Sequence, residues 1–428
     1  MRVKLPSYAH GLAHALLVLC LAILLAPSVL AVEFTTNTTI TSSDLNGEPI
    51  IVTGCTLTID CSGGVGSYAS LLVRSGGVVT HPAGSANGLW LQFSGDVTVE
   101  AGSRIDADAR GYGSQLGPGG GSSGAGASHG GTGGYGGKAV YDSVTAPSQL
   151  GSGGGNTSGG YGGAGGGLIR ITTPGTMTIA GEVRADGAGV NNAGGGSGGS
   201  IFLDVGVITG GGVISARGGS SNGASYTYGG GGGGRISVLY GTDTYTGQVH
   251  THGGTGRNAS EANNGGPGTL YYKGSSEPYG VLVFDNGTVS GWTVHPSFDM
   301  SDTDLILRFA KISFNCSGGP IRVHNLSVGN TSTVTHVATL PEGLDFRVGG
   351  DAIIENGSQL NVSGRGYGAQ LGPGGGSSGA GGSHGGTGGY GGKAVYDSIT
   401  APSDLGSGGG NTSAGTGGEG GGLVRLEV

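Results

Sequence analysis

The chain has 428 residues, of which 104 are Gly and only 11% are charged, with a formal net charge of −8. The glycines keep no strict G-X-Y period, which excludes collagen, and no basic run offers a footprint for nucleic acid. Glycine this dense ordinarily accompanies disorder, yet hydrophobic residues make up 35% of the chain and recur as short Val/Ile/Leu runs. Such runs, separated by Gly, can build a narrow repetitive core.

Residues 1–31 read as a signal peptide. Arg2 and Lys4 supply the basic start, Leu16 to Leu25 the apolar stretch, and Val29-Leu30-Ala31 the small-residue cleavage site. Cleavage is expected after Ala31, with an uncleaved anchor as the alternative because the apolar stretch approaches spanning length. No second membrane segment follows. Cys20 leaves with the signal, so Cys55, Cys61 and Cys316 remain. A local Cys55–Cys61 disulfide suits an oxidising compartment, and buried thiols are the other reading. Asn37, Asn156, Asn258, Asn286, Asn315, Asn325, Asn330, Asn356, Asn361 and Asn411 each open an N-x-S/T sequon. This excess points to a glycosylated protein of a eukaryotic secretory route. Asn/Ser/Thr-rich turns in a bacterial protein would leave the same trace.

Residues 32–285 form a first repeat unit. From Val32 to Gly95 the runs IIVTG, TLTID, SLLVRSGGVVTH and LWLQFSG are too short and wrongly spaced for amphipathic helices and read as strands. Further on, Leu168-Ile-Arg-Ile, Ile201-Phe-Leu-Asp, Arg235-Ile-Ser-Val and Thr269-Leu-Tyr-Tyr open successive segments 33 or 34 residues apart. Three short strands per segment at a fixed period predict an all-β fold, a right-handed parallel β-helix with coils stacked about 4.8 Å apart.

Between Asp108 and Leu168 lies a glycine block, expected as a long loop excursion spanning 111–165. Arg110 to Arg170 returns as Arg365 to Arg425, offset by 255 residues and identical at 53 of 61 positions. The 55 residues before each copy match at only 17 positions. The block holds too few apolar residues to fold as a domain. Its glycine runs either lie as extended strands against the β wall or form a flexible loop. A second unit, 286–428, mirrors the first, with its excursion at 366–420. It stops on Leu423-Val-Arg-Leu-Glu-Val, the opening strand of a coil, which suggests a fragment of a longer protein.

The strings Ser128-His-Gly-Gly, Tyr141-Asp-Ser-Val-Thr-Ala-Pro, Leu150-Gly-Ser-Gly-Gly-Gly and Gly165-Gly-Gly-Leu-Ile-Arg-Ile resemble the glycine-rich repeats of large secreted or cell-surface proteins of bacteria, protists and plants. That resemblance covers most of 89–274 and its second copy. It implies a parallel β-helix of pectin-lyase-like architecture and a surface or matrix role, with no agreed catalytic residues.

Two constellations carry candidate chemistry. Aligning the third strands places Asp106, Arg184, Ser215 and His250 in one outward column and Asp108, Asp186, Arg217 and His252 in another. In a β-helix polysaccharide lyase or hydrolase, Asp108 and Asp186 would hold Ca²⁺ and Arg217 would act as base or charge stabiliser. The structural alternative is a ladder of mixed charges between coils. Asp106 and Asp108 become Asn361 and Ser363 in the second unit. The other constellation lies in the block: His129, Tyr135, Lys138, Tyr141 and Asp142, repeated as His384, Tyr390, Lys393, Tyr396 and Asp397. Rings beside a cation and a carboxylate suit sugar stacking, or else anchor the block to the wall. Neither G-x-S-x-G at Gly195 nor the many GxGxxG matches exceed chance in so glycine-rich a chain, and no Cys/His spacing fits zinc. The expectation is a secreted, non-enzymatic structural or adhesive protein of cell surface, wall or extracellular matrix. It would need no cofactor and would contact extracellular glycans or matrix proteins. A carbohydrate-active enzyme or carbohydrate-binding module is the alternative.

Overall fold

Parallel pairing of short strands organises the computed structural model, which describes residues 30–223 and 227–428. The signal peptide expected at 1–31 lies outside the described residues, apart from Leu30 and Ala31. The protein is all-β, with two 3₁₀ turns as its only helical elements among the described residues. The largest sheet passes from Val32–Phe34 through Pro49–Thr53, Ser70–Arg74 and Val97–Val99 to Leu168–Ile179, Ser200–Gly210, Arg235–Tyr245 and Thr269–Gly274. A second sheet of seven strands runs alongside, from Thr38–Thr41 to Gln248–His250. Ile105, Val183 and Ile214 sit in register and are fully buried, with Ala107, Ala185 and Ala216 two residues on. The two-residue alternation thus delivers one apolar row to the core from every strand.

Among the described strands, polarity reverses once. Thr269–Gly274 pairs antiparallel with Gly280–Asp285, Leu270 opposite Val283. The five residues 275–279 between them make a tight turn, and a parallel crossover needs a dozen residues or more. Coils expected to continue in one direction therefore double back. Gly280–Asp285, Thr303–Arg308, Leu326–Gly329 and Ala352–Ile354 then run parallel to one another within the same sheet. Two apolar clusters result, one on each face of the sheet at this seam: Leu270 and Val283 point into the first, Tyr271 and Leu282 into the second. Strands at Thr56–Asp60 and Leu89–Phe93 are answered 255 residues later by Lys311–Asn315 and Leu344–Val348.

The glycine blocks are not loop excursions, contrary to the sequence expectation. Residues 151–155, 194–199 and 229–234 are buried and lie side by side without forming strands. Their amides share out three ways. Gly194 and Ser197 donate to Gly155 and Ser152, Gly195 and Gly198 to Gly229 and Gly232, and Gly196 and Gly199 to Ala188 and Ala185. In the next run Gly229 and Gly232 donate to Gly124 and Ala127, Gly230 and Gly233 to Asn263 and Gly266, and Gly231 and Gly234 to Gly219 and Ala216. A partner that repeats every third residue marks extended helices with three residues per turn, packed as a lattice. A methyl at Gly195 would fall on the Gly219 carbonyl, and one at Gly233 on the Thr251 carbonyl. Composition suggested a loop because apolar side chains are scarce. Here the backbone satisfies its own polar groups, so burial needs no side chains.

Cys55 and Cys61 are both buried free thiols, correcting the expected disulfide. The extended strand Thr56–Asp60 separates them. Six residues at about 3.3 Å each hold the two far beyond the roughly 7 Å limit between bridged Cα atoms.

Candidate functional site

The outward charge columns form a groove of about 410 Å³ lined by Asp108, Arg184, Asp186, Arg217 and His252 together with glycine backbone. Every carboxylate in it is engaged. Asp186 accepts from Arg217 Nε at 3.0 Å and Nη2 at 2.7 Å, from the Arg217 amide at 2.6 Å and from Ser215 Oγ at 2.5 Å. Asp108 accepts from the Asp186 amide at 2.7 Å and pairs with Arg184 at 2.6 Å. Burial, with the neighbouring Asp186 charge, pushes the Asp108 carboxyl up to about 6. Asp106 closes a local turn by accepting the Asp108 amide at 2.9 Å, and Asn361 does the same for Ser363 at 3.0 Å. The geometry is therefore a structural ladder with satisfied acceptors. Among the described residues no group of three or more His, Cys, Asp or Glu lies close enough to hold a metal ion, and both Asp186 oxygens are turned onto Arg217.

The aromatic constellation divides. His129 is fully buried, with Nδ1 donating to the Gly198 carbonyl at 2.9 Å and Nε2 facing Asp142 Oδ2 at 3.3 Å. Tyr141 packs on the His129 ring, 4.6 Å between centroids, and its hydroxyl donates to the Leu150 carbonyl at 2.6 Å. Burial pushes that phenol far up. Burial also opposes the charge on Asp142, but the hydrogen bonds from His129 and from the Gln149 and Ser143 amides outweigh it and hold the carboxyl well below the usual range. Tyr135 and Lys138, in contrast, are exposed. Tyr135 borders a shallow pocket of about 560 Å³ with Ser123, Asn156, Thr157, Ser158 and Arg257. In the second block His384 faces Asp397 at 3.2 Å and Tyr396 donates to the Leu405 carbonyl at 2.5 Å, while Tyr390 and Lys393 are again exposed.

Sequence reasoning missed the groups that grip the first block from the neighbouring coils. Arg235, wholly buried and pushed down to about 10 by that burial, donates from Nε to the Tyr141 carbonyl at 2.8 Å and from Nη1 to Thr269 at 3.0 Å. Ser200 Oγ donates to the Gln149 carbonyl at 2.6 Å, and Ser237 Oγ to that of Thr145 at 2.7 Å. The available signal was Arg235 itself, a charge opening a strand where the other coils place Leu, Ser or Thr. Also unread was the stack in which Arg170 lies 4.9 Å from the Trp90 ring and 5.0 Å from that of Phe202. At the equivalent register of the second unit Asp345 pairs with Arg425 at 3.7 Å instead.

The sequons differ in access. Asn37, Asn258, Asn330 and Asn356 are exposed, and Asn156, Asn315, Asn325, Asn361 and Asn411 are half-buried. Asn286 is fully buried, its amide donating to the Val289 carbonyl at 2.6 Å while its oxygen accepts the Gly253 amide at 2.8 Å. A glycan there and this packing exclude each other. No helix among the described residues is long and apolar enough to cross a membrane. Neither family models nor curated proteins nor solved structures offer a match to the chain.

Proposed function

We propose that the chain is a secreted, non-enzymatic structural or adhesive protein of a cell surface, wall or extracellular matrix. In this reading the parallel sheets wind as a right-handed β-helix, and the glycine lattice stiffens its flank. The observation that carries it is the ladder of Asp108, Arg184, Asp186 and Arg217, where every carboxylate is consumed by an internal partner. A general acid or base must reach a substrate proton, and these groups reach each other. Stacked coils with long flat walls suit multivalent contact with extracellular glycans or matrix proteins. Exposed sequons at Asn37, Asn258, Asn330 and Asn356 are consistent with a glycosylated outer surface.

A carbohydrate-binding reading keeps one specific support. Tyr135 stands exposed at the rim of a pocket lined by hydroxyl and amide groups and Arg257, and a sugar face can stack on such a ring. One set of experiments tests both. Incubation with pectin, alginate and chitin oligomers, with and without Ca²⁺, is expected to give no turnover. Turnover lost in Asp186→Ala would replace the structural reading with an enzyme. Glycan-array binding abolished by Tyr135→Ala, with the fold intact, would replace it with a lectin-like module.

A further inference from the structure

Of the ten histidines, His10 and His14 fall outside the described residues. His81, His129, His295 and His336 are buried. His324 faces Asp304 at 2.8 Å and His384 faces Asp397 at 3.2 Å. That leaves His250 and His252, both half-buried. They stand two residues apart at the end of the strand Gln248–His250 and just beyond it, so both point outward from one face, while Val249 and Thr251 turn to the core. Their ring centroids lie 5.8 Å apart. His252 Nδ1 donates to the Gly253 carbonyl at 3.0 Å, and His250 Nε2 to Gln248 Oε1 at 3.2 Å. These bonds fix each tautomer and leave Nδ1 of His250 and Nε2 of His252 with lone pairs and no described partner.

The pair also departs from the pattern of its own columns. Asp108, Arg184, Asp186 and Arg217 alternate in sign, and each charge meets the next. A carboxylate beyond Arg217 would continue that ladder, but the coil supplies two imidazoles, and both are hydrogen-bonded away from Arg217. No further strand shields them, since Gln248–His250 pairs only with Val213–Ser215 among the described strands. Asp186 and Asp285 are the negative charges that reach His250 and draw a cation toward it, offsetting the Arg217 guanidinium, which is itself bound to Asp186.

We propose that His250 and His252 chelate one divalent transition-metal ion of the copper, nickel and zinc class, with water completing its shell. Neutral imidazole suits these metals, and a ligating ring ordinarily hands its other N–H to a carbonyl or carboxylate oxygen, as both rings do here. An ion about 2.0 Å from a ring nitrogen sits about 3 Å from the ring centre, so two rings on one ion lie within about 6 Å of each other. The observed separation meets that limit. Two protein ligands make an open site, unlike a closed four-ligand zinc centre.

The test is calorimetric titration of the untagged full chain, stripped with a chelator, against Cu²⁺, Ni²⁺ and Ca²⁺ chlorides. One tight Cu²⁺ site per chain is expected, binding Ni²⁺ more weakly, and Ca²⁺ should not compete, because it takes oxygen ligands. His250→Asn and His252→Asn should each weaken Cu²⁺ at least about tenfold, since each leaves a single ring on the ion, whereas His324→Asn should change nothing. Diethyl pyrocarbonate, which modifies free imidazole nitrogens, gives a readout that needs no variant: Cu²⁺ should protect His250 and His252 and leave His324 as reactive as before. Four results would overturn the proposal: no Cu²⁺ binding, Cu²⁺ binding unchanged in both asparagine variants, displacement of Cu²⁺ by Ca²⁺, or rings that stay equally reactive when Cu²⁺ is bound. Should a variant misfold, the labelling of the native chain decides alone.

Discussion

Gly131 and Gly386 occupy the same place in nearly identical 61-residue blocks, yet one is locked and the other is free. A methyl at Gly131 collides with the carbonyls of Gly266 and Pro267, and one at Gly386 meets open space. The difference teaches that at this position the glycine requirement comes from the neighbouring runs, whereas at Gly366, Gly388 and Gly420 it comes from the block's own backbone. Both copies fold back on themselves through the same internal bonds: Gly111 to Gly165 in one, Gly366 to Gly420 in the other. Only the first is then roofed by further runs.

The sharpest way to break this comparison is alanine at both sites. Gly131→Ala should cost about 3 kcal/mol or more, as an overpacked backbone contact does, whereas Gly386→Ala should stay within about 0.5 kcal/mol in dilute monomer. Chemical denaturation of the two variants measures both. Next in size is the buried pair. Asp142→Asn removes the carboxylate charge facing a fully buried His129 and turns one of its two acceptor oxygens into a donor, which should cost about 3 kcal/mol, while Asp397→Asn, beside the partly exposed His384, should cost about 1 kcal/mol. Equality of the two would show that the covering coils do not tighten the first pair.

The pH dependence sharpens the same contrast. Burial holds His81 down to about 4 and His295 down to about 3, and lowers His336 as well. Each is neutral when folded, and an unfolded His protonates near 6.5. Their stabilisation is therefore complete above pH 6.5 and falls as acid takes the solution toward pH 4, by up to about 3 kcal/mol for His81. Asp108, raised to about 6, works in the opposite sense: its folded form binds the proton first, so its penalty is relieved as pH falls through 6. Denaturant midpoints between pH 7 and pH 4 should fall, and His81→Gln should flatten the curve more than His336→Gln. The smallest expected effect is Ser363→Asp, which restores the first-unit carboxylate at an exposed position and should change stability by less than about 0.5 kcal/mol.

Alternation of Ile, Val and Ala made the inward rows readable, and the 33- or 34-residue spacing of strand openers made the parallel stacking readable. The reversal at Thr269–Gly274 was not, because Thr269-Leu-Tyr-Tyr carries the same pattern as its parallel predecessors. The deciding fact is the brevity of 275–279. The lattice was visible only as one of two alternatives, since hydrogen bonds between bare backbones leave no side-chain signature. At the candidate site the charge columns were legible from strand alternation. Their mutual neutralisation was visible only as one of two readings, for the choice depends on the Arg217 guanidinium folding back onto Asp186. Asn286 illustrates the same limit: its sequon is a local string, whereas its burial comes from Gly253 and Val289, joined only in space.

A slab of backbone buried without side chains has a thermal consequence. Heat capacity on unfolding rises with newly wetted hydrocarbon and falls with newly wetted amide. Melting of the runs 194–199 and 229–234 exposes almost entirely the latter, so that region should have an unusually flat stability curve. Chilling, which weakens oil-like cores, would leave the glycine layer the firmest part of the molecule.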